Sequence, residues 1–230
     1  MNLHDFHEFV RQFMPRLDDD EKRIALGIYR GIAHSGKVSP QELAKSTRIP
    51  PSRVGNIVSS WPGVYRDEAR DIIGFWGLTA QPVSRHILEI DGRVRYAWCA
   101  WDCLFLPEIL GETLRVRSTC PQTDGEITLT VRPTSIVHVH PESTVLSILI
   151  PDVASCERDV VSHFCHFVHF FSDEPSARKW TSTRERTHVM SLEQGMRLAR
   201  MKNEWQFGET GSRSSTPGVR VEAGRPNGRP

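Results

Sequence analysis

The sequence lacks long apolar runs and a large excess of either charge, and its number of cysteines is odd. No stretch approaches the roughly 18 consecutive apolar residues of a membrane-spanning helix, so we predict no contact with a membrane. The 29 lysines and arginines nearly balance the 28 aspartates and glutamates. A protein that binds a polyanion needs a larger positive field, so we expect no nucleic acid as a partner.

The amino end also lacks the basic-then-apolar pattern of a secretion signal, which predicts a cytoplasmic protein. Cysteines are reduced in the cytoplasm, and a chain of 230 residues with five of them does not resemble a disulfide scaffold. Burial, metal binding or chemistry must therefore explain these thiols. No phosphate loop, dinucleotide fingerprint or serine-hydrolase motif is present. The cysteines are Cys99, Cys103, Cys120, Cys156 and Cys165.

Residues 1–80 predict a winged-helix-like module. Capping signals begin helices near Asp18 and Ser39, a third helix covers residues 51–60, and two short strands follow. Such a module can bind DNA through its third helix. Residues 1–80, however, contain 11 basic and 10 acidic residues, and the third helix offers only Arg53. This charge pattern favours a structural role over DNA binding.

Residues 81–207 predict a catalytic domain of mixed α+β class, built mainly on antiparallel sheet. Asp91-Gly92 and Asp124-Gly125 are hairpin turn signals between alternating strands. A buried helix is predicted from Cys99 to Leu110, and another from Leu192 to about Phe207. Residues 208–230 are rich in glycine and proline, which predicts a disordered tail.

The segment around Cys99 is the first candidate for chemistry. If a helix begins at Cys99, then Cys99, Asp102 and Cys103 share one face of its first turn. The positive end of a helix lowers the pKa of a thiol, and neighbouring Trp98 and Trp101 would keep a proton on the Asp102 carboxyl to higher pH. The alternative is a core cysteine beside an aspartate that complements the helix dipole.

A second candidate is residues 162–171, in which Cys165 stands among histidines and aromatic residues. A soft metal could bind there, but the spacing matches no standard zinc motif. We favour a buried strand whose histidines form hydrogen bonds, and we interpret His138 and His140 in the same way. The histidines of this segment are His163, His166 and His169.

Two separated blocks of the sequence resemble the bacterial organomercurial lyases, also called alkylmercury lyases. The resemblance covers roughly residues 20–205 and is specific because both blocks occur in order, each with its cysteine. Shorter matches lie between them, at Ile72-Ile73-Gly74, Gly77-Leu78-Thr79 and Glu89-Ile90-Asp91. The blocks are Tyr96-Ala97-Trp98-Cys99-Ala100-Trp101-Asp102 with Phe105-x-Pro107, and Phe164-Cys165 with Val168-His169-Phe170-Phe171.

The resemblance implies an enzyme that protonates a carbon–mercury bond and releases a hydrocarbon and Hg(II). It implies that Cys99 and Cys165 capture the mercury, that Asp102 takes part in proton delivery, and that Cys120 is structural. It also implies a winged-helix-like module that does not bind DNA. No organic cofactor is implied. Small thiols are expected as co-reactants, and a mercuric reductase is expected to accept the Hg(II).

Some positions and one alternative function stay open. His166 stands where some family members carry a second cysteine, and Cys103 is an added thiol that is either a third mercury ligand or, as we favour, packing. Cys156 is expected to be incidental. The alternative function is a metal- or mercurial-sensing transcription regulator, in which the amino-terminal module binds DNA and the thiols only sense.

Overall fold

A large antiparallel sheet and a smaller one organise the chain, with helices before, between and after their strands. The computed structural model describes residues 3–208, so the predicted tail lies outside the described residues from residue 209 onward. Within that described range, no helix is both long and apolar enough to cross a membrane. The helices are α1 (Leu3–Phe13), α2 (Asp19–Ser35), α3 (Pro40–Thr47), α4 (Pro51–Ser60), α5 (Asp102–Leu110), α6 (Val153–Arg158), α7 (Val160–His163), α8 (Glu174–Thr181) and α9 (Leu192–Phe207), with a 3-10 helix at Cys165–Phe167. The strands are β1 (Val64–Arg66), β2 (Ile72–Phe75), β3 (Leu78–Thr79), β4 (His86–Ile90), β5 (Arg93–Ala97), β6 (Leu114–Thr119), β7 (Glu126–Arg132), β8 (Ser135–His140), β9 (Val145–Leu149), β10 (Phe170–Phe171) and β11 (Thr187–Ser191).

Helices α2 and α3 begin where the sequence places capping signals. The Asp18 carboxylate accepts the Glu21 N–H, and the Glu21 carboxylate accepts the Asp18 N–H, both at 2.8 Å. Ser39 and Glu42 form the same reciprocal pair. Each pair satisfies backbone donors that have no partner within the helix. The predicted starts of these two helices are therefore confirmed.

Helix α1 precedes this module and is absent from the sequence prediction. Phe6, Phe9, Val10 and Phe13 are all buried. Their spacing of i, i+3, i+4 and i+7 places them on one face of a helix, and that spacing was the available signal. The Phe6 ring meets the Trp101 ring edge-on, with centroids 5.0 Å apart. Helix α1 therefore docks onto the segment that holds the first candidate site.

The large sheet confirms the predicted α+β class with mainly antiparallel strands. Its order is β1-β2-β3-β5-β4-β6-β7-β8, and every neighbouring pair is antiparallel. In β6 and β7, buried and less buried residues alternate, so one face of the sheet is turned to the core. The sheet is continuous past residue 80, because β3 pairs with β5.

The segment predicted as a strand over residues 162–171 is mostly not a strand. Helix α7 runs into it, the 3-10 helix follows, and only Phe170–Phe171 pairs, with β9 in a smaller sheet of order β10-β9-β11. The Asp159 carboxylate caps α7 by accepting the N–H groups of Val161 and Ser162. This cap favours helical backbone over an extended strand. The alternation of histidine and aromatic residues was therefore misleading.

Helix α9 packs against α5 and reaches the segment that follows α1. The Asn203 side chain donates a hydrogen bond to the Phe105 carbonyl at 3.1 Å. The Trp205 indole N–H donates to the Met14 carbonyl at 2.9 Å. The last helix of the described range therefore holds both the central helix α5 and the connection from α1 in place.

Gly195 of α9 and Gly55 of α4 form a matched pair that tests this packing. A Cβ at residue 195 would lie 2.8 Å from Leu104 Cδ1, whereas one at residue 55 would meet nothing within 4 Å beyond its own helix backbone. We expect Gly195→Ala to lower the free energy of unfolding by about 1–3 kcal/mol through overpacking. We expect Gly55→Ala to raise it by about 0.5–1 kcal/mol, because alanine favours helix. Urea denaturation measures both, and equal gains would contradict the close α5–α9 contact.

Candidate active site

Three buried side chains from two distant segments converge in the interior. The Sγ atoms of Cys99 and Cys165 and a carboxylate oxygen of Asp102 all lie within 4.8 Å of one another. The three residues are 0%, 3% and 5% exposed. Over residues 3–208, no other set of three histidine, cysteine or acidic side chains converges as a potential ion site. The structure thus brings together the three site residues named from the sequence.

Cys99 lies in a turn between β5 and α5, not in the first turn of a helix. The predicted helix start is therefore wrong by three residues, since α5 begins at Asp102. The Asp102 carboxylate accepts the Cys99 N–H at 2.7 Å and closes this turn. The neighbouring Ala100 N–H donates to the Val168 carbonyl at 3.1 Å, which ties the turn to the segment of Cys165.

Gly77 shapes the space around the carboxyl of Asp102. It has a φ of +97°, and a Cβ at this residue would lie 2.6 Å from the Asp102 Cγ. Both the backbone angle and the contact therefore require glycine. The buried Tyr29 hydroxyl donates to the Trp76 carbonyl at 3.0 Å and supports the turn that carries Gly77. The sequence match at Gly77 did not reveal that it packs on the carboxyl.

Burial changes the proton affinity of Asp102 in the direction expected from its tryptophan neighbours. Desolvation raises the pKa of Asp102 to about 6, and hydrogen bonds from Cys99 and the charge of Lys202 oppose the rise. A desolvated carboxylate loses hydration, so the neutral acid is favoured. The carboxyl can therefore both accept and donate a proton near neutral pH.

The two thiols hold their protons, contrary to the expectation of a thiolate at Cys99. Burial raises the pKa of Cys99 well above its ordinary value, and the nearby sulfur of Cys165 and charge of Asp102 raise it further. Burial also raises the pKa of Cys165, but a hydrogen bond donated by the Cys99 thiol opposes that rise. The dipole argument failed because Cys99 precedes the helix and is fully buried.

Lys202 is a buried charged group near the site that the sequence analysis missed. Its side chain is 0% exposed, and its Nζ lies 3.9 Å from the centroid of the Phe105 ring and 3.4 Å from Asn203 Oδ1. Burial lowers the pKa of Lys202 to about 7, although the charges of Asp102 and Glu108 act in the opposite direction. The sequence pattern that could have revealed its burial is its position four residues after Leu198, on the buried face of α9.

An apolar pocket adjoins the reactive side chains. Asp102 and Cys165 contribute to its lining, whereas Cys99 does not. Trp98 and Trp101 form part of the wall, as expected from the sequence. The other residues that line the pocket are Phe9, Val10, Phe13, Met14, Trp76, Gly77, Phe105, Val160 and Phe164. Such a surface suits an apolar organic group next to the thiols and the carboxyl.

The other cysteines do not join the convergent group. The Cys103 thiol donates to the Cys99 carbonyl at 3.5 Å and is buried in α5, which fits the packing role that we favoured. Cys120 lies after β6 and is buried. Cys156, which we expected to be incidental, is buried in α6, where burial raises the pKa of Cys156 to about 12.

The histidines near Cys165 form local hydrogen bonds. His163 Nδ1 contacts the Asp159 carbonyl at 3.0 Å, and His169 Nε2 contacts the His166 carbonyl at 2.8 Å. A carbonyl can only accept, so His163 Nδ1 and His169 Nε2 each carry a hydrogen. These two ring nitrogens cannot bind a metal in this state. This arrangement agrees with the hydrogen-bonding role that we favoured, although not with the predicted strand. His138 and His140 lie on the exposed edge strand β8.

Comparisons with known proteins agree on one family. The sequence model of the family described as alkylmercury lyase matches residues 78–203. An alkylmercury lyase of Staphylococcus epidermidis is 33% identical over 197 residues, which cover 84% of this chain and 89% of that protein. One of Pseudomonas putida is 35% identical over 174 residues, covering 76% of this chain and 80% of that protein. The fold resembles the crystal structure of the mercury-bound form of MerB2, with a TM-score of 0.72, 24% identity, and coverage of 88% of this chain and 98% of that chain.

Replacing Asp102 with asparagine should stabilise the fold near neutral pH. The folded pKa of about 6 exceeds the ordinary value of 3.8. The unfolded chain therefore binds fewer protons between pH 4 and 6, and stability falls as the pH rises through that window. The asparagine amide oxygen can still accept the Cys99 N–H. We expect Asp102→Asn to raise the free energy of unfolding at pH 7.5 by about 1–3 kcal/mol, measured by urea denaturation with reductant present.

The matched control for that variant is Asp19→Asn, because the Asp19 side chain is fully exposed. The measurement is repeated at pH 4, where the gain in the free energy of unfolding from Asp102→Asn should shrink. Asp19→Asn should change the free energy of unfolding by no more than about 0.5 kcal/mol at either pH. An equal gain at pH 4 and pH 7.5 would contradict a buried carboxylate as its cause.

Proposed function

The chain belongs to the alkylmercury lyase family, and we propose that Cys99, Cys165 and Asp102 carry out the cleavage of the carbon–mercury bond. The observation that supports these roles is the convergence of two thiol sulfurs and a carboxylate oxygen within 4.8 Å. Mercury is soft and binds thiolates. A carbon leaving group is poor unless it is protonated in the transition state, which requires a positioned acid. The site holds both kinds of group.

Cys165 binds the mercury of the substrate first. It lines the pocket, whereas Cys99 does not. In this step the Cys165 sulfur forms a bond to mercury, the ligand opposite the organic group leaves, and the thiol proton leaves with that ligand. The organic group remains on mercury and lies in the apolar pocket.

Cys99 binds the mercury next and gives its proton to Asp102. The Cys99 sulfur and an Asp102 carboxylate oxygen lie within 4.8 Å of each other, so the proton has an acceptor nearby as the sulfur binds. The protonated carboxyl then transfers this proton to the carbon. A carbon–hydrogen bond forms, the carbon–mercury bond breaks, and Hg(II) stays on the two sulfurs. No electron is gained or lost, so the step needs no organic cofactor.

Small thiols complete the cycle by displacing Hg(II) from the two cysteines and restoring their protons. The released ion then suits a mercuric reductase as the next acceptor, since a dithiol site and a thiol carrier can exchange mercury by ligand substitution. A cytoplasmic location fits this scheme, because Cys99, Cys103, Cys120, Cys156 and Cys165 are all free thiols.

The amino-terminal module is winged-helix-like in arrangement, and its role is structural rather than DNA binding. Three helices, α2 to α4, precede the β1–β2 ribbon, and Val38 between α2 and α3 bridges to Ile72 of β2. Arg53, the one basic residue of α4, is paired with Asp20 at 2.5 Å and Asp18 at 3.5 Å. These pairs leave little positive charge for phosphates. The alternative of a mercurial-sensing regulator is not supported.

Hydrocarbon release tests the assigned thiols. Purified protein with excess small thiol is supplied with methylmercury or phenylmercury, and methane or benzene is measured by gas chromatography. We expect Cys99→Ser and Cys165→Ser to nearly abolish release, because a hydroxyl is a poor ligand for a soft metal. Cys103→Ser is the matched control, since it is a buried thiol of the adjoining helix, and it should retain most of the activity. Substantial release from either of the first two variants would overturn the assignment.

Asp102→Asn separates mercury binding from proton delivery. The variant keeps both thiols and an acceptor for the Cys99 N–H, so it should still bind one equivalent of Hg(II). Its hydrocarbon release should fall by about 100-fold or more, the usual effect of losing a positioned general acid. Binding is measured by mercury retained after gel filtration, and turnover by gas chromatography. Unchanged turnover would leave Asp102 with a structural role only.

A further inference from the structure

Helix α1 and the residue that follows it supply one wall of the pocket that adjoins the reactive side chains. Phe9, Val10 and Phe13 of α1 line the pocket, and Met14, just after the helix, does so too. Asp102 and Cys165 line it from the reactive segments. Helix α1 lies outside residues 78–203, the part that the family model matches. This wall therefore lies outside the residues that the family model matches.

We propose that α1 forms the subsite for the organic group and that Val10 sets the size of the group it accepts. The inference deepens the proposed function and rests on it. With mercury on the Cys165 and Cys99 sulfurs and the carbon facing Asp102, the organic group has to occupy the adjoining pocket. Val10 is the smallest of the side chains that α1 contributes, and it is 0% exposed. A larger residue at this position would take space from the substrate.

The chemistry of the lining favours uncharged hydrocarbon groups. Apart from Asp102 and Cys165, which act on the mercury–carbon bond, the pocket is lined by apolar and aromatic residues and by Gly77. A charged substituent would lose hydration there without a partner. Methyl and phenyl groups both meet this requirement but differ in volume, so they can report on the size of the subsite.

Phe6 provides a control on the same helix. It is 0% exposed like Val10 and packs against Trp101 and Phe164 with ring centroids 5.0 and 6.2 Å apart. It does not contribute to the lining of the pocket. Phe6→Leu therefore loosens the docking of α1 without replacing a side chain that lines the pocket.

The test compares kcat/KM for phenylmercury and methylmercury, measured by benzene and methane release with excess thiol. We expect Val10→Phe to lower the phenyl-to-methyl ratio by about 10-fold or more, the usual effect of steric change in an apolar pocket. Val10→Ala should raise the ratio, and Phe6→Leu should leave it within about twofold. If Val10→Phe does not fold, Val10→Leu serves in its place and should lower the ratio by about threefold or more.

Two results would overturn the proposal that α1 forms the subsite and that Val10 sets its size. One is an unchanged ratio in the folded Val10 variants, and the other is a shift in Phe6→Leu as large as that in Val10→Phe. Both leave the proposed function intact if the unaltered protein releases the two hydrocarbons. Failure of the unaltered protein to release either one would instead reject the proposed function.

Discussion

The carboxyl of Asp102 is kept out of water, and much of the surrounding structure follows from that constraint. A shift of the Asp102 pKa from 3.8 to about 6 corresponds to about 3 kcal/mol against the ionised form. The core around the site has to offset this cost. Gly77 allows the backbone to cover the carboxyl, Tyr29 supports the turn that contains Gly77, and the Cys99 N–H gives the carboxylate a fixed partner.

The same exclusion of water explains why the two cysteines of the site are protonated thiols rather than thiolates. Cys99 and Cys165 are as buried as the carboxyl, so each thiol keeps its proton until a soft cation replaces it. A dithiol at rest is less open to oxidation than a thiolate pair, because the thiolate is the reactive form. In the proposed mechanism, the arrival of mercury converts this inert state into a reactive one, and the proton released from Cys99 is then beside the carboxylate that accepts it.

The sequence predicted which residues converge better than it predicted the local backbone that holds them. The two cysteines, the aspartate and the tryptophan wall were identified because soft ligands beside a carboxyl make chemical sense and occur in two ordered blocks. The predicted start of α5 and the predicted strand around Cys165 were wrong. Hydrogen bonds to the Asp102 and Asp159 carboxylates set the local backbone at these two places. Lys202 and Gly77 were missed as site residues, since their roles depend on contacts with residues far away in the chain. Helix α1 was missed although its apolar spacing was present.

The contact between the first and last helical regions has a consequence for synthesis of the protein. Trp205 of α9 bonds to Met14 just after α1, and Lys202, which acts on Asp102, is also carried by α9. A ribosome releases the amino end first, and α9 emerges only after both cysteines. A nascent chain that already contains Cys99 and Cys165 therefore has an unfinished interior around them. Its thiols would meet solvent until α9 is made and completes the enclosure.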